Sequence, residues 1–213
     1  AAFEEQKVLV VKRFDRRLST DGAWIVRLPQ EDMCQATGTP SDMKYESDGG
    51  PGIKDIMHIL LGSIMPEEDR LLFMKTNIVF WMLAAIDGHA KNFSIFLEPK
   101  GRFRLTPMYD VLSAYPVLGN SADLLSKEKI RLAMAVRGKN RHYRWNQIMR
   151  RHWVETAIRC GIEKKKIEEL LDRLIEKTPE VILRIKDQIP SGFPGDVTDA
   201  ILNGIRRSSE RLK

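Results

Sequence analysis

At 213 residues, with 43% hydrophobic and 30% charged residues, the chain is long enough to bury a sizeable core and has the size of one domain or a lobe of a larger unit. Its longest apolar run, residues 78–86, falls far short of the roughly 20 residues that span a bilayer, and no charged-then-apolar leader opens it, so a soluble, cytoplasmic protein with no membrane partner is expected. Two cysteines and four scattered histidines, with no C-x-x-C or H-E-x-x-H spacing, argue against a zinc site or a disulfide framework, and the net charge of +6 gathers late, at 137–151, 164–166 and 206–207.

In chain order, residues 6–14 are rich in β-branched side chains and predict a strand. Residues 23–28 predict a second, after a Thr20-Asp21-Gly22 turn signal. A strand that opens the chain is expected to be covered by protein upstream or by another chain. A polar, glycine-rich stretch at 43–51 precedes a helical pattern over 53–61, and Asp48-Gly-Gly-Pro-Gly52 reads as a turn and helix start. Pro66 and three acidic residues mark the next helix, whose apolar residues run on to Ile86 all round and predict burial. Two short strands follow, 93–97 and 102–105, joined as a hairpin by 98–101. From about Trp145 the pattern is helical, with one stripe from Ile167 to Ile175, another at Ile182, Ile185 and Ile189, and Pro179 between them.

The stretch Ile86-Asp-Gly-His-Ala-Lys-Asn-Phe93 falls where the apolar helix ends and the hairpin begins. Phosphoryl transfer from ATP needs a carboxylate that orients the acceptor hydroxyl and takes its proton, and a neutral oxygen ligand for magnesium. Asp87 and Asn92 supply both at Asp-x-x-x-x-Asn spacing. Beyond the hairpin, Pro107-Met-Tyr-Asp110 offers a second carboxylate that a returning hairpin places beside the loop, where it can hold magnesium. Taken singly, Asp87, Gly88 and Asn92 are ordinary turn formers and Asp110 an ordinary helix cap. Their order along the chain is what carries the reading.

With that constellation, Asp87-Gly-His-Ala-Lys-Asn-Phe-Ser94, Arg104-Leu-Thr-Pro-Met-Tyr-Asp-Val111, Arg27-Leu-Pro-Gln-Glu-Asp-Met33 and Lys44-Tyr-Glu-Ser-Asp-Gly-Gly-Pro-Gly52 resemble the HipA family of bacterial toxin kinases over essentially the whole chain. The resemblance implies a mainly α (α+β), kinase-like C-terminal lobe with short β-hairpins around the catalytic loop: hinge strand and hairpin at 1–28, catalytic core at 43–135, helical part at 145–213. It implies ATP and Mg2+ as cofactors and Asp87 as general base. His89 and Asn92 would line the phosphate and metal side, Tyr109 and Asp110 would contact nucleotide and magnesium, Lys12, Arg13 and Phe14 would form the hinge, and Asp15 would face the ribose.

The family's N-terminal lobe, with its phosphate-cradling loop and strand lysine, is not found in the sequence, so a C-terminal lobe of weak isolated activity is expected. Implied partners are a HipB-like helix-turn-helix antitoxin, operator DNA reached through it, and a protein substrate such as an aminoacyl-tRNA synthetase. Direct DNA contact rests on Arg159, on a helix at 154–162, and on a cluster of Arg141, Arg144, Arg150 and Arg151 that could meet phosphates. Two other readings share these features: a small-molecule or lipid kinase lobe, and a non-catalytic module that binds an antitoxin or DNA.

Overall fold

The computed structural model describes residues 2–4 and 6–213. Strand β1 (Ala2–Phe3) pairs antiparallel with β2 (Gln6–Lys7), and β3 (Arg16–Leu18) with β4 (Ile25–Arg27). The strand expected over 6–14 thus shrinks to two residues, and the hairpin partner of 25–27 lies beyond it. Leu9, Val10 and Val11 are 86%, 74% and 68% exposed. Strand preference in β-branched residues expresses packing on a neighbouring surface, and these three side chains face solvent instead. Trp24, in the turn of the second hairpin, is also 60% exposed.

Strand β5 (Gln30–Asp32) leads into a single helical turn, α1 (Met33–Ala36). Asp32 caps that turn: its carboxylate accepts the Gln35 N–H at 2.9 Å while the Gln35 side chain accepts the Asp32 N–H at 3.0 Å. Helix α2 (Ile53–Ile59) starts directly after the glycine turn, as expected. Helix α3 (Pro66–Met82) is the centre of the core, with Phe73, Met74, Ile78 and Trp81 fully buried. It stops four residues short of Ile86. Ala84 takes a left-handed φ of 49°, and the Ala85 N–H donates back to the Phe80 carbonyl at 2.8 Å, which closes the helix and frees 85–88 to turn.

The hairpin after this turn is as expected, β6 (Ser94–Glu98) against β7 (Arg102–Leu105), but β5 adds a third antiparallel strand with Asp32 opposite Ser94. Its Gln-Glu-Asp sequence carries no apolar alternation that could announce a strand. The buried Asp69 carboxylate locks α3 to this sheet, accepting the Leu105 N–H at 2.8 Å and the Ser63 hydroxyl. A second unannounced pair follows, β8 (Arg131–Arg137) against β9 (Arg141–Arg144). Residues 132–136 are all buried, so the period of two that marks a half-buried strand is missing.

Helices α4 (Arg150–Arg159), α5 (Lys164–Gln188) and α6 (Gly195–Glu210) complete the chain. Pro179, which lies between the two apolar stripes, does not interrupt α5. Proline lacks one N–H and crowds the carbonyl four residues back, but here it is exposed, the neighbouring Thr178 hydroxyl donates to the Leu174 carbonyl at 2.6 Å, and the buried Ile167, Leu171 and Ile182 keep α5 on one packing face. Around the end of α3, Trp81 and Trp145 each donate an indole N–H to the other's carbonyl, at 3.1 and 2.8 Å. The Tyr115 hydroxyl reaches the carbonyls of Met82 and Gly204 and the Ser208 hydroxyl. The Arg211 guanidinium lies 4.9 Å from both indoles. Among the described residues, no helix is long and apolar enough to cross a membrane.

Candidate functional site

The closing turn of α3 leads into residues 86–93, a loop in which Asp87 is exposed while Ala90 and Phe93 remain in the core. Gly88 is required there, because a Cβ would stand 2.4 Å from the Phe80 ring. His89 opens a short 3-10 turn, Ala90–Asn92. The Asn92 side-chain oxygen accepts the His89 N–H at 3.0 Å, and its amide donates to Asp110 at 2.8 Å. The hairpin therefore brings Asp110 back beside the loop across 18 residues of sequence.

Asp110 is exposed and holds a φ of 55°. A left-handed backbone at a residue other than glycine costs about 1 kcal/mol or more, though aspartate tolerates it better than most. Next to it, the half-buried Tyr109 donates to the Lys91 carbonyl at 2.7 Å and contacts the Ser94 hydroxyl, and burial pushes its phenol up from its ordinary value. Phe14 packs on Tyr109 and Phe96, each with ring centroids 5.7 Å apart. The segment expected as a hinge thus reaches the same face through Phe14. Lys12 and Arg13 are exposed.

Asp15, expected to face the ribose, is engaged by neighbouring side chains. It is 2% exposed, and both its oxygens are taken, by Arg13 at 2.8 Å and by Arg16. The Arg13 hydrogen bonds hold its carboxyl down at about 2. A carboxylate closed between two guanidinium groups braces the 13–16 turn.

The Asp87 carboxylate points outward, with its side chain 67% exposed. One oxygen accepts the Tyr45 hydroxyl at 2.7 Å, and the other stands 3.8 Å from His89 Nε2. That bond pushes the Tyr45 phenol up to about 12, so it stays a donor at neutral pH. Burial pushes the His89 imidazole below its ordinary value, against the opposite pull of Asp87, and its Nδ1 is buried without a partner. The Tyr45 ring meets the His89 ring edge-on at 5.3 Å.

Sequence reasoning assigned roles neither to Tyr45 nor to Glu46. Glu46 is buried beneath the loop, accepts the Ala135 N–H at 2.6 Å, and faces Arg137 at 3.4 Å and Arg141 at 4.0 Å. Burial raises its pKa, with the Ala135 bond opposing. Both residues lie within the Lys44 to Gly52 segment that carried the family resemblance, and the only local signal was a tyrosine and an acid beside a glycine turn.

The basic residues expected to meet DNA are dispersed in role. Arg150 is tied to Asp172 at 2.8 Å and to the Leu212 carbonyl at 3.1 Å, and Arg159 to Glu155 at 2.7 Å. Arg151 stands 3.3 Å from His152 Nε2. Arg144 is exposed on β9, directly opposite Arg131.

A family model described as the HipA-like C-terminal domain matches residues 1–182. The chain is 33% identical over 181 residues to "Putative kinase Y4mE" of Sinorhizobium fredii, covering 83% of this chain and 39% of that protein. It is 27% identical over 199 residues to the serine/threonine-protein kinase toxin HipA of Shewanella oneidensis, covering 88% and 43%. The chain therefore spans about two fifths of the length of these curated relatives. Among solved structures, HipA of Shewanella oneidensis in complex with HipB and operator DNA matches with a TM-score of 0.81 at 20% identity, over 94% of this chain and 47% of that one.

Proposed function

Because the chain belongs to the HipA-like C-terminal domain family, we propose that it carries the catalytic part of a serine/threonine protein kinase that moves the γ-phosphate of ATP to a protein hydroxyl. The observation that supports this reading most strongly is the placement of Asn92, bonded to both the His89 N–H and Asp110, with the Asp87 carboxylate 3.8 Å from His89 Nε2. It aligns an exposed carboxylate with an all-oxygen pair suited to a hard cation.

In this reading Asp87 orients the acceptor hydroxyl and takes its proton. Tyr45 holds one Asp87 oxygen, which leaves the other for the acceptor. Asp110 and Asn92 are the magnesium ligands: the Asn92 side-chain oxygen keeps a second lone pair beyond its bond to the His89 N–H, and Asp110 has a carboxylate oxygen not engaged by Asn92. Held by Asp110 and Asn92, magnesium would supply neutralisation of the phosphate charge. Phe14 and Tyr109 form an aromatic wall on the nucleotide side. An antitoxin and operator DNA as partners accord with the complex in which the Shewanella protein was solved; an aminoacyl-tRNA synthetase as substrate belongs to the same proposal through the family resemblance alone.

The test is transfer of labelled γ-phosphate to serine or threonine in soluble protein by the natural full-length protein. It should require magnesium, and Asn92→Ala should raise the magnesium concentration needed for half-maximal rate several-fold. Absence of transfer by the wild type, with folding shown by circular dichroism, would overturn the assignment. Tyr45→Phe is expected to lower kcat by about tenfold with the KM for ATP unchanged, since one bond to a charged group is worth about 1.5–3 kcal/mol. An unaltered kcat would remove Tyr45 from the machinery.

A further inference from the structure

Strand β8 spends two of its N–H groups away from β9. Its ladder with β9 is irregular between Arg131 and Val136, and within that stretch the Ala133 N–H donates to the Ile86 carbonyl at 3.0 Å while the Ala135 N–H donates to the Glu46 carboxylate at 2.6 Å. Ile86 is the residue before Asp87, and Glu46 is the residue after Tyr45. Both partners of the Tyr45–Asp87 hydrogen bond are therefore pinned, through a chain neighbour, to one strand. Groups two residues apart on an extended strand are about 7 Å apart, so β8 fixes the spacing at which the two pinned segments approach.

The frame behind this grip is firm. Residues 132–136 are buried, and at the end of β8 the Arg137 N–H donates to the Thr156 hydroxyl of α4 at 2.7 Å. The 44–50 turn is held just as closely. The Lys44 carbonyl accepts the Ala90 N–H at 3.3 Å, and the Tyr45 carbonyl accepts the Asp48 and Gly50 N–H groups at 3.0 and 2.9 Å. Within this turn, Glu46 is the side chain that reaches β8, and its carboxyl group packs so tightly on Gly52 that a Cβ there would stand 2.5 Å from it. A buried carboxylate is costly unless it is paired and hydrogen-bonded, and Arg137 and the Ala135 N–H meet those two needs.

We propose that Glu46 is a positioning residue of the phosphate transfer: by docking the 44–50 turn on β8, it sets the Tyr45 hydroxyl against Asp87. The proposal rests on the kinase reading above and extends the machinery by the side chain behind Tyr45. Without this anchor the turn keeps its own backbone bonds but loses its fixed distance from Ile86, and Tyr45 no longer holds Asp87 in one orientation. Glu46 touches no reacting atom. Its removal therefore acts on turnover and not on nucleotide binding.

The test uses the natural full-length protein. Glu46→Ala should lower kcat by about tenfold, as Tyr45→Phe does, with the KM for ATP unchanged. Glu46→Gln keeps an oxygen within reach of the Ala135 N–H and should restore most of the rate. If Glu46 acts through Tyr45, adding Glu46→Ala to Tyr45→Phe should cost no more than about twofold further. A second readout needs no turnover: the carbon-13 resonance of the hydroxyl-bearing ring carbon of Tyr45 in tyrosine-labelled protein, assigned by its loss in Tyr45→Phe. Asp87→Ala should shift that line, and Glu46→Ala should shift it the same way. Glu46→Asp keeps the charge but falls a methylene short of Ala135; it should act like the alanine variant, and it replaces that variant if alanine prevents folding. A wild-type kcat in Glu46→Ala, losses that multiply in the double variant, or a Tyr45 line that stays in place would overturn the proposal. A wild type that transfers no phosphate would refute the kinase reading, and the Tyr45 line would still decide whether Glu46 holds Tyr45 on Asp87.

Discussion

Replacing Asp110 by glycine in the full-length protein is expected to lower phosphate transfer by about 10²–10³-fold, the usual cost of losing one preorganised group that stabilises developing charge, while changing the stability of the fold by no more than about 1–2 kcal/mol, because relief of the left-handed backbone offsets part of the lost bond from Asn92. Asp110 sits at φ 55°, where glycine is unstrained, and its side chain makes one hydrogen bond within the protein, to Asn92. A residue kept in a left-handed conformation where glycine would serve the backbone better is held there for its side chain. Asp87→Asn should cost about 10²–10⁴-fold in rate, and no left-handed strain is relieved there. Initial rates and thermal midpoints of the three proteins decide the matter. An Asp110→Gly protein that transfers phosphate at the wild-type rate would remove Asp110 as a metal ligand.

Trp81→Ala should destabilise the fold by about 3–5 kcal/mol from the cavity alone. Trp81 is fully buried, and its ring packs near Trp145 and Trp153 with centroids 6.4 and 6.3 Å away. The substitution also removes the donor to the Trp145 carbonyl and one of the two rings over which Arg211 lies. Since an average domain has only 5–15 kcal/mol in hand, the variant should be partly unfolded at 37 °C. Trp81→Phe keeps most of the volume and should cost about 1–2 kcal/mol, mainly the lost indole donor. Urea denaturation followed by far-UV circular dichroism measures both. A loss below about 1 kcal/mol for the alanine variant would mean that α3 is not the central packing element.

Legibility of the sequence followed the physics of each element. Helix α3, the 94–105 hairpin and the late helices were readable because their signals are local: an acidic start with proline, short apolar runs around Pro-Lys-Gly, stripes at helical spacing. The order of Asp87, Asn92 and Asp110 likewise anticipated a meeting that the hairpin makes real, with Asn92 bonded to Asp110. Strands β5 and β8 were not readable, for opposite reasons. One is polar and joins a sheet through backbone bonds to β6, and the other is buried along 132–136 so that no alternation remains. The opening run failed because its β-branched residues stay in solvent. Tyr45 escaped notice since its bond to Asp87 spans 42 residues and leaves no periodic trace. Pro179 shows the reverse, a helix-breaking residue that α5 carries without interruption.

The distribution of the four tryptophans gives the molecule two separate optical reporters. Trp81, Trp145 and Trp153 are buried with ring centroids 6.3–6.4 Å apart around Trp81, close enough to couple their transitions, so near-ultraviolet dichroism and blue-edge emission are expected to report the packing around α3. Trp24, 60% exposed on the β3–β4 hairpin, emits to the red and stands open to collisional quenchers such as iodide. Anything that settles on the hairpin therefore announces itself as a protected, blue-shifted Trp24 with the core spectrum unchanged, whereas loosening of the core alters the dichroism first.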